Sequence, residues 1–197
     1  MYKRQLKQIN TKLEILNDEF QHVHQYNPIE HIKSRIKTSE SIVKKLRRHG
    51  YESTIENMVK YVNDIAGIRV ICSFTSDIYR IAEMIRLQND IHVIAVKDYI
   101  RLPKASGYKS YHMLVTVPVF LSDRTVDVKV EIQIRTVAMD FWASLEHKIN
   151  YKFEGNAPEH VKRELIECAG MVSALDNRMQ ELNEEIKALS KEDTDGA

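Results

Sequence analysis

Asp127 to Arg135 reads DVKVEIQIR, and its strict alternation decides how the rest of the chain is to be folded. At a strand's two-residue period Val128, Val130, Ile132 and Ile134 point one way, and Asp127, Lys129, Glu131, Gln133 and Arg135 point the other. The first set needs a core to lie on. The second is a row of charges and hydrogen-bonding groups. It either meets bulk water, as in an ordinary half-exposed antiparallel strand, or floors a polar cleft.

Working outward, Met113 to Phe120 is a strand joined to Val126–Ile134 by a turn at Asp123-Arg124. Asp64 to Phe74, DIAGIRVICSF, is a β-branched apolar run that reads as a buried strand, with Asp64 at its entrance and Arg69 inside it. Those two residues have opposite parity. They share a site only if Gly67 allows a bulge or Asp64 precedes the regular strand. Thr75 to Asp90 reads as a helix with Ser76 as its cap and Ile78, Ile81, Ala82 and Ile85 inward. Ile91 to Ile100 is a further strand. Thr136 to about Lys152 is helical through Ala138, Phe141, Trp142, Leu145 and Ile149, and carries Glu146, His147 and Asn150. Four strands among helices make an α/β (α+β) fold, a mixed β-sheet flanked by helices.

Residues 1–26 form an amphipathic helix with Leu6, Ile9, Leu13, Leu16, Phe20 and Val23 spaced alternately by three and four. The narrow stripe meets another helix, most simply within the chain. His22 and His24 diverge on a helix and do not read as a metal pair. Pro28, at a first-turn position, begins a second helix that Gly50 ends. This helix holds a dense basic patch, in which Lys37, Ser41, Lys45 and Arg48 fall on one side. Such a cluster is either a solvated face or an anion site, and phosphate is the usual match for Lys and Arg. A short helix spans Thr54 to Tyr61. The core is thus 27–153, followed by an assembly helix over 154–190 whose stripe Val161, Leu165, Cys168, Val172, Leu175, Met179, Leu182, Ile186, Leu189 holds four heptads, and a disordered tail over 191–197.

The 197 residues carry a net charge of only +1, so a general nucleic-acid binder is disfavoured and basic function is confined to local patches. Two cysteines, Cys72 and Cys168, sit far apart in apolar contexts and read as reduced, buried thiols. Apolar runs fall well short of the roughly 20 residues a membrane helix requires, and a cytoplasmic protein is expected. No zinc set is available, and there is no GxxxxGK[ST], GxGxxG, GxSxG, HExxH or His-Asp motif. What remains is two strand carboxylates, Asp64 and Glu131, a basic segment, and the loop RLPKASGYKSYH, Arg101 to His112. Aromatic and basic side chains in one loop suit a nucleotide, with ring on base and cation on phosphate, although tyrosines of a surface hairpin pack in the same way. Paired carboxylates beside polyphosphate are a common Mg²⁺ arrangement.

HIKSRIKTSESIVKKLRR, DIAGIRVIC, KDYIRLPKASGYKSYH and EIQIRTVAMDFWASLEHKINYK together resemble the sequence blocks of the RelA/SpoT synthetase domain in its single-domain form, the small alarmone synthetases. The resemblance spans about Ile29 to Lys152. It implies a nucleotidyltransferase-like synthetase fold and transfer of pyrophosphate from ATP to the ribose 3′-hydroxyl of GTP or GDP, releasing AMP and forming (p)ppGpp. By matching position, Asp64 and Glu131 would hold Mg²⁺, with Glu131 also taking the proton of the attacking hydroxyl. Arg35 and Arg69 would sandwich adenine, and Lys37, Ser41 and Lys45 would meet the ATP phosphates. Tyr108 would stack on guanine, Lys97, Lys104 and His112 would lie near the GTP phosphates, and Gln133, Glu146 and Asn150 would surround the acceptor nucleoside.

The longer relatives carry a hydrolase domain for which this chain has no room, so synthesis without hydrolysis is expected, in a homotetramer built through the terminal helices. The family's product-activation cleft maps onto His31 to Ser34 and Asp140, which depart from its pattern. Asp140 would place a negative charge beside an anionic effector. Two other readings compete: a nucleotide- or RNA-binding regulatory module that keeps the fold without turnover, and a template-independent nucleotidyltransferase acting on RNA. Retention of Asp64, Glu131 and Tyr108 together favours the synthetase. Whether single-stranded RNA binds, and whether GTP or GDP is preferred, the sequence leaves open.

Overall fold

The computed structural model describes residues 2–24, 26–153 and 156–195. In chain order the elements are α1 (Tyr2–His24), β1 (Ile29–Ile36), α2 (Ser39–Arg48), α3 (Ile55–Tyr61), β2 (Ala66–Cys72), α4 (Thr75–Arg86), β3 (His92–Asp98), β4 (Tyr111–Phe120), β5 (Thr125–Thr136), α5 (Val137–Lys152) and α6 (Glu159–Asp195). Gly155, read as the break before the last helix, and the final two residues of the tail lie outside the described residues. α6 runs five residues into the segment read as a disordered tail.

The five strands form one mixed sheet in the order β1-β2-β5-β4-β3. β5 is central: it pairs parallel with β2 and antiparallel with β4. Its alternation is resolved as the sequence implies. Val128, Val130, Ile132 and Ile134 are buried, and register places Ile68 and Met113 on either side of Ile132. Val130, Ile132 and Ile134 and their neighbours on β2 and β4 form one core with α4 and with Leu6, Ile9 and Leu13 of α1. The first part of the α1 stripe therefore packs on the sheet of its own chain, and Phe20 farther along it lies under Arg80 of α4.

One segment departs from its reading. Ile29 to Ile36, taken as the start of a helix, is the edge strand β1, paired antiparallel with β2. Its apolar residues Ile29, Ile32 and Ile36 are spaced by three and four, which imitates a helix. An edge strand pairs on one side only and leaves its polar side chains in water, and most of β1 is exposed. Helix α2 begins only after Thr38, whose hydroxyl accepts the Ser41 N–H at 3.3 Å. Gly50 closes it with φ 76°. A second departure is at α4, where Ser76 is not the cap. The Asp77 carboxylate accepts the Phe74 N–H at 3.2 Å, and Ser76 N–H donates to Gln180 of α6.

Cys72 and Cys168 are free thiols. Among the described residues no helix is long and apolar enough to cross a membrane.

Candidate active site

Strand register builds the site before any side chain is considered. Opposed residues on neighbouring strands share a face. One row across the polar face runs Arg35, Gly67, Glu131, Leu114, and the next runs Lys33, Arg69, Gln133, His112, Lys97. Gly67, without a side chain, leaves the floor open between Arg35 and Glu131, and the Arg35 side chain lies across it. Asp64 sits in the turn before β2. That resolves its parity conflict with Arg69 by letting it precede the regular strand.

Two clefts open on this face. One, about 610 Å³, is lined by Arg35, Lys37, Thr38, Ser41, Lys44, Lys45, Arg48, Asp64 and His147. The other, about 590 Å³, is lined by Arg35, Asp64, Arg69, Lys104, Tyr108, His112, Glu131, Gln133, Arg135, Glu146 and His147 among others. Arg35, Asp64 and His147 border both, so the two spaces meet at the Asp64 carboxylate. Lys37 reaches it although it precedes α2, because its N–H is fixed to the Ile65 carbonyl at 2.8 Å.

The carboxylates are held ionised. Burial alone would raise Asp64, but Lys37 Nζ at 2.6 Å and Lys45 Nζ at 2.7 Å donate to its two oxygens and bring its pKa down to about 2. Burial likewise acts to raise Glu131, and is outweighed by His112, whose Nδ1 lies 3.4 Å from Glu131 Oε1, and by Gln133 Nε2 donating to Oε2 at 2.9 Å. Glu131 thus stays below the usual glutamate range, although the Asp64 charge pushes it upward. That mutual repulsion is the electrostatic mark of two carboxylates sharing one space. Two hard oxygen donors fit a divalent cation that keeps its waters and takes phosphate oxygens for the rest of its shell.

Tyr108 stands at the far wall. Its hydroxyl lies 2.9 Å from His112 Nε2 and accepts from Arg135 Nη2 at 2.5 Å, while Lys104 Nζ lies 4.6 Å over the ring. Asn150 donates to Glu146 Oε1 from the next turn of α5. Lys97 is exposed at the rim, opposite His112. Neither Asn150 nor Lys97 lines the larger cavities, whereas the other sequence-derived residues converge on them.

Arg135 was legible as part of the polar row but drew no role from the sequence. It is only 4% exposed and donates to Ser110, Asp140, Tyr108 and Gln133. His147, at the meeting of the clefts, was seen on its helix without a task. Asp140 is not a free charge facing an effector. It is 9% exposed and accepts from Arg69 Nη1 at 2.9 Å and Arg135 Nη1 at 3.2 Å, so its charge is matched inside the protein. Arg69, expected to find its partner in adenine, has one here in Asp140.

Residues 34–156 match the family model described as a region found in RelA / SpoT proteins. The chain is 47% identical over 94% of its length to the GTP pyrophosphokinase YwaC of Bacillus subtilis, covering 89% of that protein. Its fold is similar to the small alarmone synthetase 1 of Bacillus subtilis bound to its product pppGpp, with a TM-score of 0.88 at 37% identity over 94% of both chains. It is similar also to the same synthetase bound to AMPCPP, with a TM-score of 0.82 at 35% identity over 95% of this chain and 94% of that one. The chain belongs to the RelA/SpoT family, among the small alarmone synthetases.

Proposed function

We propose that this chain is a cytoplasmic, Mg²⁺-dependent GTP pyrophosphokinase that transfers the β,γ-pyrophosphate of ATP to the 3′-hydroxyl of GTP or GDP. The observation that carries the reading is the convergence of Asp64 and Glu131, 67 positions apart in the chain, on one space between a lysine-rich cleft and a tyrosine-walled one. A lysine-lined cleft suits the triphosphate of the donor. Arg35, flat across Gly67, and Arg69 offer guanidinium planes for adenine, and Lys37, Ser41 and Lys45 lie within the same reach for its phosphates.

On the acceptor side Tyr108 offers a ring to guanine. Lys104 leaves that ring for phosphate, with Lys97 and His112 beside it, and Gln133, Glu146 and Asn150 hold the nucleoside. The acceptor 3′-oxygen forms a bond to the β-phosphorus as the bond from that phosphorus to the α,β-bridging oxygen breaks, and AMP leaves. The acceptor's proton passes to Glu131, which is ionised at neutral pH and oriented by Gln133 and His112. Asp64 and Glu131 would hold Mg²⁺, which supplies neutralisation of the phosphate charge. As phosphates draw Lys37 and Lys45 away from Asp64, its oxygens become available as ligands.

The test is product identity. Wild-type protein given ATP, Mg²⁺ and GTP or GDP yields AMP in equal amount to a guanosine penta- or tetraphosphate. ATP consumption to ADP, or no turnover with both nucleotides bound, contradicts the reading, the latter in favour of a binding module.

A further inference from the structure

The loop that carries Tyr108 is held from behind by the C-terminal helix. On α6, Leu165, Ala169, Ser173 and Asp176 are spaced by four, four and three, which places them on one face. Each has a partner near the cleft wall. The Leu165 carbonyl accepts from Trp142 Nε1 at 2.9 Å, fixing α5 to α6. Asp176 accepts from Thr136 Oγ1 at 2.6 Å, and the same oxygen receives the Met139 N–H that opens α5.

The middle two residues grip the loop itself. Gly107 has φ +85°, a conformation that disfavours any side chain, and a Cβ added there would stand 2.5 Å from Ala169 Cβ. The loop backbone therefore rests directly on α6, with the two smallest residue types at the contact. Lys109, next to Tyr108 in the chain, lines neither cleft. It turns away and donates to Ser173 Oγ. Both chain neighbours of Tyr108 are thus fixed by α6, while Arg135 and His112 hold its hydroxyl and flank its ring.

We infer that Ala169 and Ser173 are positioning residues for the guanine nucleotide, because α6 seats the loop that aims the Tyr108 ring. This rests on the assignment of Tyr108 to guanine made above. The ATP-side residues Lys37, Ser41 and Lys45 are carried by α2 and the turn before it, so they keep their places when the seat is loosened.

The test is direct binding of GDP and, separately, of AMPCPP by calorimetry to full-length wild type, Ser173→Ala, Ser173→Thr, Ala169→Leu and Tyr108→Ala, with thermal unfolding of each. Loss of the loop anchor weakens GDP binding about fivefold in Ser173→Ala and more in Ala169→Leu, with AMPCPP binding changed less than about twofold. Ser173→Thr, which keeps the hydroxyl, restores GDP binding. If Ala169→Leu does not fold, Ser173→Ala and its threonine rescue decide. Unchanged GDP binding in Ser173→Ala and Ala169→Leu, with Tyr108→Ala impaired, overturns the seating role alone. Parallel loss of GDP and AMPCPP binding also overturns it, since α6 would then be a general support. Unimpaired GDP binding by Tyr108→Ala overturns the guanine assignment beneath it.

Discussion

At the scale of single residues the site is a balance of charges. Asp64 carries two lysine ammoniums at hydrogen-bond distance, and its pKa falls from 3.8 to about 2. A carboxylate whose folded pKa is depressed contributes stability that is present above its unfolded pKa and lost as pH falls through the folded one. Unfolding midpoints of the wild type should accordingly drop between about pH 4 and pH 2 more steeply than those of Asp64→Asn; parallel curves would show that the lysine pair does not stabilise the fold. On the proposed assignment Tyr108→Ala removes a stacking surface worth about 1 to 3 kcal/mol per base. It should raise the KM for GTP or GDP roughly fivefold or more while leaving the KM for ATP near its wild-type value. Equal changes for both nucleotides would place the ring elsewhere in the mechanism.

At the scale of elements, how much could be read from sequence follows from how local each signal is. What the polar face of β5 meets was left open by the stretch itself, but β5 was legible as a strand, and in which side chains face the core, because strict alternation fixes its two faces. β1 was not. IEHIKSRI has the apolar spacing of a helix, and its pairing with β2 is a contact with residues some forty positions away that no local pattern records. Thr38, two residues past the strand, was the available sign that the helix starts later. Asp64, Glu131, the basic segment and the basic aromatic loop stood out by residue type, and the separate roles of Tyr108, Gln133 and the lysines came from the resemblance to the family's sequence blocks. The ion pair of Arg135 with Asp140 was not legible, because it is a buried contact between the sheet and α5. Helix α1 is as much core as appendage. Ile9→Ala and Leu13→Ala should each cost about 2 to 5 kcal/mol in chemical denaturation, and a loss under 1 kcal/mol would mean that α1 does not dock on the sheet.

At the scale of the whole molecule α6 divides into two halves. The first half of its heptad stripe, Leu165, Cys168 and Val172, packs against the cluster of Trp142 and Ala143 of α5 with Ala169, as Tyr108 also does. The second half, Leu175, Met179, Leu182, Ile186 and Leu189, is exposed. An apolar row of that length suits a second copy of the chain, and we propose it as a contact of the homotetramer expected from the sequence. Met179→Glu with Leu182→Glu should lower the sedimenting mass while the subunit keeps its thermal transition. An unchanged mass would move the assembly surface to another element.

The central claim is that Glu131, facing Asp64 across the meeting of two nucleotide clefts, takes the proton in pyrophosphate transfer. Rapid-quench measurement of AMP release from enzyme saturated with ATP, GDP and Mg²⁺, in wild type and in Glu131→Gln, tests it most directly. The expected result is a fall in rate of about 10²- to 10⁴-fold with affinities for both nucleotides preserved. A Glu131→Gln enzyme that releases AMP at the wild-type rate would contradict it.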